Sequence, residues 1–320
     1  MKAEIKPRIN FEGRTRLETV IPLSTPYLVF LDPSDVCNQS CEFCPSGNKE
    51  LLRNIPTRKP QLMDFGLYKH IIDNLCDMPE QIKTLRLYKD GEPLLNPHFT
   101  AMVRYAVETQ RFQQIDTTTN GSLLRPSLNQ DIVNSGIDKV FISVPVSYTP
   151  AYVRNVKHLY ECGRGKCLLY VKTIGDQLSQ REQHRFLADF GDIADRIFIE
   201  HIAPCWPEYD VEGVNQEVGI YGQPIDSVKV CPYLFYSLSI NSDGSVSACF
   251  LDWKHEMILG NLDDESFGSI WNGEKLKCLR LGHLYGKRNE LRMCGDCGQL
   301  THGAPDIIDE FADELSERIR

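Results

Sequence analysis

Residues 27–44 read YLVFLDPSDVCNQSCEFC, an apolar strand-like run that breaks at Asp32–Pro33 and delivers three cysteines within eight residues. The strand YLVFLD (27–32) is β-branched and aromatic over a short span, as a buried strand requires. Cys37, Cys41 and Cys44 follow at C-x3-C-x2-C spacing. That run supplies three thiolates to one metal centre and withholds the fourth. On a four-iron, four-sulfur cubane, three protein ligands leave one iron open to a reactant. Structural zinc is the alternative, because thiolates hold zinc and iron–sulfur clusters alike.

Further strands are expected at TLRLY (84–88), QIDTTT (114–119), KVFISV (139–144), LLYVKTI (168–174) and RIFIEHI (196–202). Between them lie stretches such as FGLYKHIIDNLCDM and FTAMVRYAVETQ, whose apolar residues recur at helical spacing. Repeated βα units of this kind build a parallel sheet, either open and doubly wound or a partial barrel. The features that break pattern fall at successive strand ends: the cysteines after the first, DGEP (90–93) after the second, TNG (119–121) closing the third, Ser143 near the end of the fourth. Parallel α/β sheets gather their ligands at the carboxyl ends of strands, so one shared site is expected there.

Composition sets limits. A net charge of −9 and a pI near 5.4 argue against a nucleic-acid or anionic-membrane surface. No apolar run approaches the ~20 residues that cross a bilayer. The start MKAEIKPRINFEG has no apolar core of a signal peptide, so a cytoplasmic protein is expected. Twelve cysteines in such a chain point to metal ligands or catalysts rather than disulfides. Beyond the first three, Cys231, Cys249, Cys294 and Cys297 form a second group, while Cys76, Cys162, Cys167, Cys205 and Cys278 are scattered and by default buried hydrophobes.

The expected organisation is an N-terminal segment (1–26), a βα core (27–205), a Gly- and Pro-rich linker (206–225), a cysteine-bearing unit (226–302) and a C-terminal amphipathic helix (303–320). In the cysteine-bearing unit, LFYSLSINSDGSVSACFLD alternates around an NSDG turn and is expected to form a β-hairpin.

Taken together, the strand-one cysteines, Gly91-Glu92-Pro93 after strand two and the βα series resemble the core of the radical S-adenosylmethionine (SAM) enzymes. The resemblance implies an α/β fold, a partial (β/α)6 barrel with a small C-terminal α+β domain. It implies that Cys37, Cys41 and Cys44 hold a 4Fe-4S cluster whose open iron binds SAM, which is reductively cleaved to a 5′-deoxyadenosyl radical. Carried over by position, Gly91, Glu92 and Pro93 receive the methionyl ammonium of SAM. Asn120 and Ser143 match polar positions that contact its ribose or carboxylate, and Phe43 matches the aromatic beside its adenine. The family's motif begins with glycine, where this chain has Asp90.

The C-terminal cysteines, with LGNL (259–262), SIWNG (269–273) and CGDC (294–297), resemble a SPASM-type extension. Fuller versions carry more cysteines and two auxiliary clusters. Here Cys231, Cys249, Cys294 and Cys297 imply a single auxiliary 4Fe-4S cluster, with a zinc ribbon as the alternative. Cys278, in a helix-like context, is expected to be a buried thiol.

The resemblance implies hydrogen abstraction from a carbon of a small, carbohydrate-like substrate, giving alcohol dehydrogenation or epimerisation. Epimerisation needs a hydrogen donor, and Cys205, just past the last barrel strand, is the candidate. A flavodoxin- or ferredoxin-type electron donor is implied. The alternatives are a peptide or protein maturase of the same family and, more remotely, a non-catalytic zinc scaffold.

Overall fold

Side chains alternate across the pleat of a parallel sheet, and here the alternation separates an aliphatic outside from an aromatic and basic inside. In the computed structural model, which describes residues 1–9 and 13–320, the strands are β1 (Glu4–Ile5), β2 (Leu28–Leu31), β3 (Thr84–Arg86), β4 (Ile115–Thr119), β5 (Lys139–Ser143), β6 (Leu168–Ile174), β7 (Arg196–Glu200), β8 (Ser237–Ile240), β9 (Ser245–Ser247) and β10 (Ile258–Asn261). Val29, Leu31, Leu85, Ile115, Val140, Ile142, Leu169, Val171 and Ile197 form the outer face, each 2% exposed or less, packed in one core with the helices. Their neighbours Phe30, Arg86, Phe141, Tyr170, Lys172 and Phe198 take the opposite face, and rings meet there: Phe141 is edge-on to Tyr170 at 4.9 Å.

From β2 to β7 neighbours in space are neighbours in sequence and every pair is parallel, the partial barrel that the sequence implied. The crossovers carry helices at Phe65–Cys76, Phe99–Glu108, Pro126–Asn134, Pro150–Gly163 and Gln180–Phe190. Local signals start them. Asp64 accepts from the amides of Gly66 and Leu67, Thr149 accepts from Tyr152 with Pro150 behind it, and Ser179 and Glu182 form a reciprocal capping box.

The expected hairpin is β8–β9, turning at 241–244, and β10 pairs antiparallel on its far side. Its place in the molecule was not foreseen. β8 pairs in parallel with β2, Leu28 with Ser237 through to Leu31 with Ile240, so the cysteine-bearing unit extends the barrel sheet into one ten-stranded sheet. At the other end β1 lies parallel to β7, and the N-terminal segment runs from there into the barrel.

Cys278 is exposed, contrary to expectation. The helix Glu274–Leu284 turns Leu276, Arg280, His283 and Leu284 inward. Position 278 is two residues from both 276 and 280, about 200° round the helix, and therefore faces out. Among the described residues no helix is long and apolar enough to cross a membrane.

Candidate active site

The first cysteine loop leaves the carboxyl end of β2 and is held by its own tight turns. Cys44 donates its amide to the Cys41 carbonyl at 3.2 Å, and Gly47 donates to the Cys44 carbonyl at 2.8 Å. Gly47 rests so closely on this loop that a Cβ would overlap the carbonyl oxygen of Cys41. Gly91 is under the same constraint, since a Cβ there would strike the Ser34 carbonyl oxygen. Thus the Gly91-Glu92 loop and the cysteine loop touch backbone to backbone.

Glu92 is buried, and its carboxylate ties the loop after β3 to the end of β4. One carboxylate oxygen accepts from the Thr119 hydroxyl at 2.6 Å and the Leu94 amide at 3.1 Å; the other accepts from the Asn120 amide at 2.7 Å. Burial raises the Glu92 carboxyl above its ordinary value, and these three donors oppose the rise. Asn120 Nδ2 then donates to Asn38, inside the cysteine loop, at 2.8 Å. Ile142 is registered with Thr119, and Ser143 follows it at the end of β5. The structure therefore joins Glu92, Asn120 and the cysteine loop by hydrogen bonds, with Ser143 one strand further round.

Asp90, which stands where glycine was expected, anchors a buried ionic network. It pairs with Lys89 and with His255 Nε2 at 3.0 Å, while Arg58 pairs with Asp35 and bonds the Trp253 carbonyl at 3.0 Å. Burial alone would raise Asp90, but Lys89, Arg58 and the His255 hydrogen bond outweigh it and hold its carboxyl well below the usual range. Asp32 goes the other way, pushed well up by burial and by the charges of Asp90 and Asp35. Asp35, Asp90 and His255 present ligand atoms within 4.8 Å of one another, but Arg58 and Lys89 already neutralise the two carboxylates. The cluster is an ion-pair lock between the Gly91-Glu92 loop and the C-terminal unit.

The barrel encloses a cavity of about 800 Å3. Phe43, Lys89 and Tyr88 border it on the side of the first cysteine loop, Tyr233, Phe250 and Leu251 on the side of the second cysteine group. Glu200, paired with Lys172 at 2.5 Å, also faces in. His201 bonds Asp176 at 2.9 Å. Cys205 lines the cavity, buried, its thiol pushed well up by that burial and by nearby Cys297 and Glu200.

Cys231, Cys249, Cys294 and Cys297 converge on a second, small cavity of about 30 Å3 bordered by Leu234, Leu251, Met257, Met293 and Leu300. Arg288 fixes its rim, donating to the carbonyls of Cys294 at 2.8 Å and Cys297 at 2.6 Å. The amide of Cys231 donates to His283 Nδ1 at 3.2 Å. Burial raises Cys44 to about 11 and Cys294 to about 11, and raises the other five cysteines of the two groups as well. Thiols so enclosed ionise when a metal cation takes the proton's place, which suits them to a metal centre. Among the described residues no three cysteine sulfurs lie within 4.8 Å of one another.

Gly47, Arg58 and His255 were not singled out from sequence. Gly47 follows the last cysteine of its motif, a signal visible only in retrospect; Arg58 and His255 lie far from their partners along the chain.

A parallel partial barrel with a three-cysteine loop at one strand end, and a nest of four cysteines across its cavity, defines an α/β barrel with two candidate metal centres. Residues 231–298 match SPASM, an iron-sulfur cluster-binding domain. A tungsten-containing aldehyde ferredoxin oxidoreductase cofactor-modifying protein from Pyrococcus furiosus is 26% identical over 80% of this chain and 72% of its own length. An S-adenosyl-L-methionine-dependent 2-deoxy-scyllo-inosamine dehydrogenase from Niallia circulans is 21% identical over 86% of this chain and 93% of its own. The structure of BtrN in complex with AdoMet and 2-DOIA shares the fold, with a TM-score of 0.60 and 17% identity over 88% of this chain and 97% of that one. Over most of its length the chain is thus similar to an S-adenosyl-L-methionine-dependent enzyme, and its C-terminal part matches an iron–sulfur cluster-binding domain.

Proposed function

We propose that this protein is a radical SAM oxidoreductase that dehydrogenates an alcohol carbon of a small, carbohydrate-like molecule. The observation that carries the proposal is the position of the cavity. One wall holds Phe43 from the first cysteine loop; Tyr233 and Leu251 on the other wall also border the second cysteine group. A substrate between them lies within reach of both. The volume of about 800 Å3 falls in the range of small-molecule sites and favours such a substrate over an extended peptide. The Niallia circulans relative, named for a dehydrogenation of 2-deoxy-scyllo-inosamine, supports the same class.

In this reading Cys37, Cys41 and Cys44 hold the SAM-binding 4Fe-4S cluster, and Phe43, Gly91, Glu92, Pro93, Asn120 and Ser143 hold SAM. Cys231, Cys249, Cys294 and Cys297 hold one auxiliary 4Fe-4S cluster. The match of residues 231–298 to an iron-sulfur cluster-binding domain supports a cluster over zinc there. When bound, SAM with its cluster would supply hydrogen-atom abstraction, its electron coming from a flavodoxin- or ferredoxin-type donor, and the auxiliary cluster would accept the electron that the substrate radical loses. Glu200, facing the cavity beside Lys172, is placed to take the hydroxyl proton as the carbonyl forms. The second reading, epimerisation with Cys205 as hydrogen donor, is favoured by that thiol's place on the cavity wall.

Iron, sulfide and zinc per chain in anaerobically reconstituted protein test the assignment. Roughly eight irons with equal sulfide are expected. About four would remove the auxiliary cluster and with it the electron acceptor for dehydrogenation, and zinc in place of iron would overturn the enzyme reading.

A further inference from the structure

Among the described residues, charges inside the barrel cancel in pairs, with Lys83 and Arg8 left over. Arg86 meets Asp116 at 3.3 Å, Lys172 meets Glu200 at 2.5 Å, Lys89 meets Asp90, and Arg14 meets Asp306 at 2.5 Å. Lys83 is taken up by the Thr15 hydroxyl at 3.1 Å and the Tyr27 ring. Arg8 has no carboxylate within ion-pair distance among the described residues. Its guanidinium lies over two ring faces, 5.5 Å from the centre of Tyr88 and 5.6 Å from that of Phe141. Among the described residues its enclosed Nε has no acceptor, and the enclosed Tyr88 hydroxyl is equally without a partner.

Two enclosed donors without acceptors, one on a fixed cation, are costly to keep in a folded protein. Both line the same cavity. Arginine held flat by aromatic faces keeps its fork of N–H groups set for a planar or tetrahedral oxyanion. Tyr88 immediately precedes Lys89–Asp90–Gly91–Glu92, so an anion held here sits on the wall that leads to the proposed SAM-binding loop. Arg8 reaches this wall because β1 docks on β7 and carries the N-terminal segment into the barrel.

We infer that Arg8, assisted by the Tyr88 hydroxyl, binds an anionic group of the substrate, a carboxylate or a phosphate, making the substrate an acidic carbohydrate-like molecule. This rests on the proposed function, which it narrows from sugar-like to anionic. An uncharged or cationic cyclitol would leave the Arg8 fork without a charged hydrogen-bond acceptor.

The test is calorimetric titration of the reconstituted protein, with SAM present, by glucose, glucuronate and glucose 6-phosphate at one fixed ionic strength. At least one of the two anionic sugars is expected to bind about tenfold or more tightly than glucose, as a charge-assisted pair should. Whichever does identifies the group as carboxylate or phosphate. Arg8→Gln should erase that preference, Arg8→Lys should keep part of it, and Tyr88→Phe should weaken the anionic ligand alone. Equal binding of the three sugars, no measurable binding of either anion, or a preference that survives Arg8→Gln overturns the inference. Iron content and circular dichroism are checked first for each variant; if Arg8→Gln does not fold, Tyr88→Phe and Arg8→Lys carry the comparison. Iron count and SAM cleavage with a chemical reductant in the same preparation separate the two claims. A protein with both clusters that cleaves SAM but shows no anion preference refutes this inference alone.

Discussion

Replacing Asp90 by alanine removes the acceptor for two neighbours at once. Lys89, whose side chain is 1% exposed, keeps the Asp252 carbonyl at 3.1 Å and a contact to His255 Nε2 at 3.4 Å but no carboxylate, and His255 Nε2 loses its own. Breaking a buried ion pair by deleting one partner costs about 3–5 kcal/mol, mostly the cost of stranding the other charge. Unfolding entropy scales at ~2.1 cal/mol/K per residue, or ~0.7 kcal/mol/K for a chain of this length. The loss therefore corresponds to a drop of about 4–7 °C in Tm, read by differential scanning fluorimetry or circular dichroism on anaerobic protein. A double variant, Lys89→Met with Asp90→Ala, should recover much of the loss because no charge is left stranded. The sign with pH is fixed by the depressed carboxyl of Asp90. Its contribution is complete above the unfolded Asp value near ~3.9 and is lost as pH falls through the folded value, so the difference between wild type and variant should stay constant from about pH 8 to 5. A cost of about 1 kcal/mol or less, a double variant worse than the single one, or a difference that fades between pH 8 and 5 would refute the reasoning.

Gly47→Ala forces a Cβ into the carbonyl oxygen of Cys41, so the first loop should lose its cluster while the second cysteine group keeps its own; about four irons fewer per chain is the expected count, against no change if the loop yields. Glu92→Gln keeps the side chain's shape and removes its charge. Affinity for SAM should fall by about tenfold or more with iron content unchanged, measured by equilibrium dialysis.

How far the sequence could be read depended on how local each signal was. Strands β2 to β7 are buried on one face and packed in parallel, so their apolar runs stood out, and all of them fell within a residue or two of expectation. Cys37, Cys41, Cys44, Glu92 and Asn120 are spaced along successive strand ends, where the α/β rule places ligands. What escaped was long-range. The NSDG turn announces two strands but says nothing about their neighbour, and β8 chose the free edge of β2. Arg58 and His255 reach partners that no local window contains. Arg8 sits in a segment without periodicity, and only the enclosure of its Nε marks it out. Cys278 misled because helical context alone does not say which side of the helix faces the core.

The parallel pairing of β2 with β8 has a consequence for the order of synthesis. β2 is among the first strands to leave the ribosome, yet the strand that covers its outer edge follows roughly 200 residues later, a delay of about 10–40 s at ~5–20 residues per second. Until then Leu28–Leu31 presents unpaired amides and carbonyls along an apolar strand, the template on which nascent chains stick to one another. The same edge would be laid bare by truncating the chain before Ser237, so a barrel expressed without its C-terminal unit should aggregate rather than survive as a smaller enzyme. Completion of the barrel sheet therefore waits on the last quarter of the chain, and holdase chaperones binding the Leu28–Leu31 edge during translation would set the yield of folded protein.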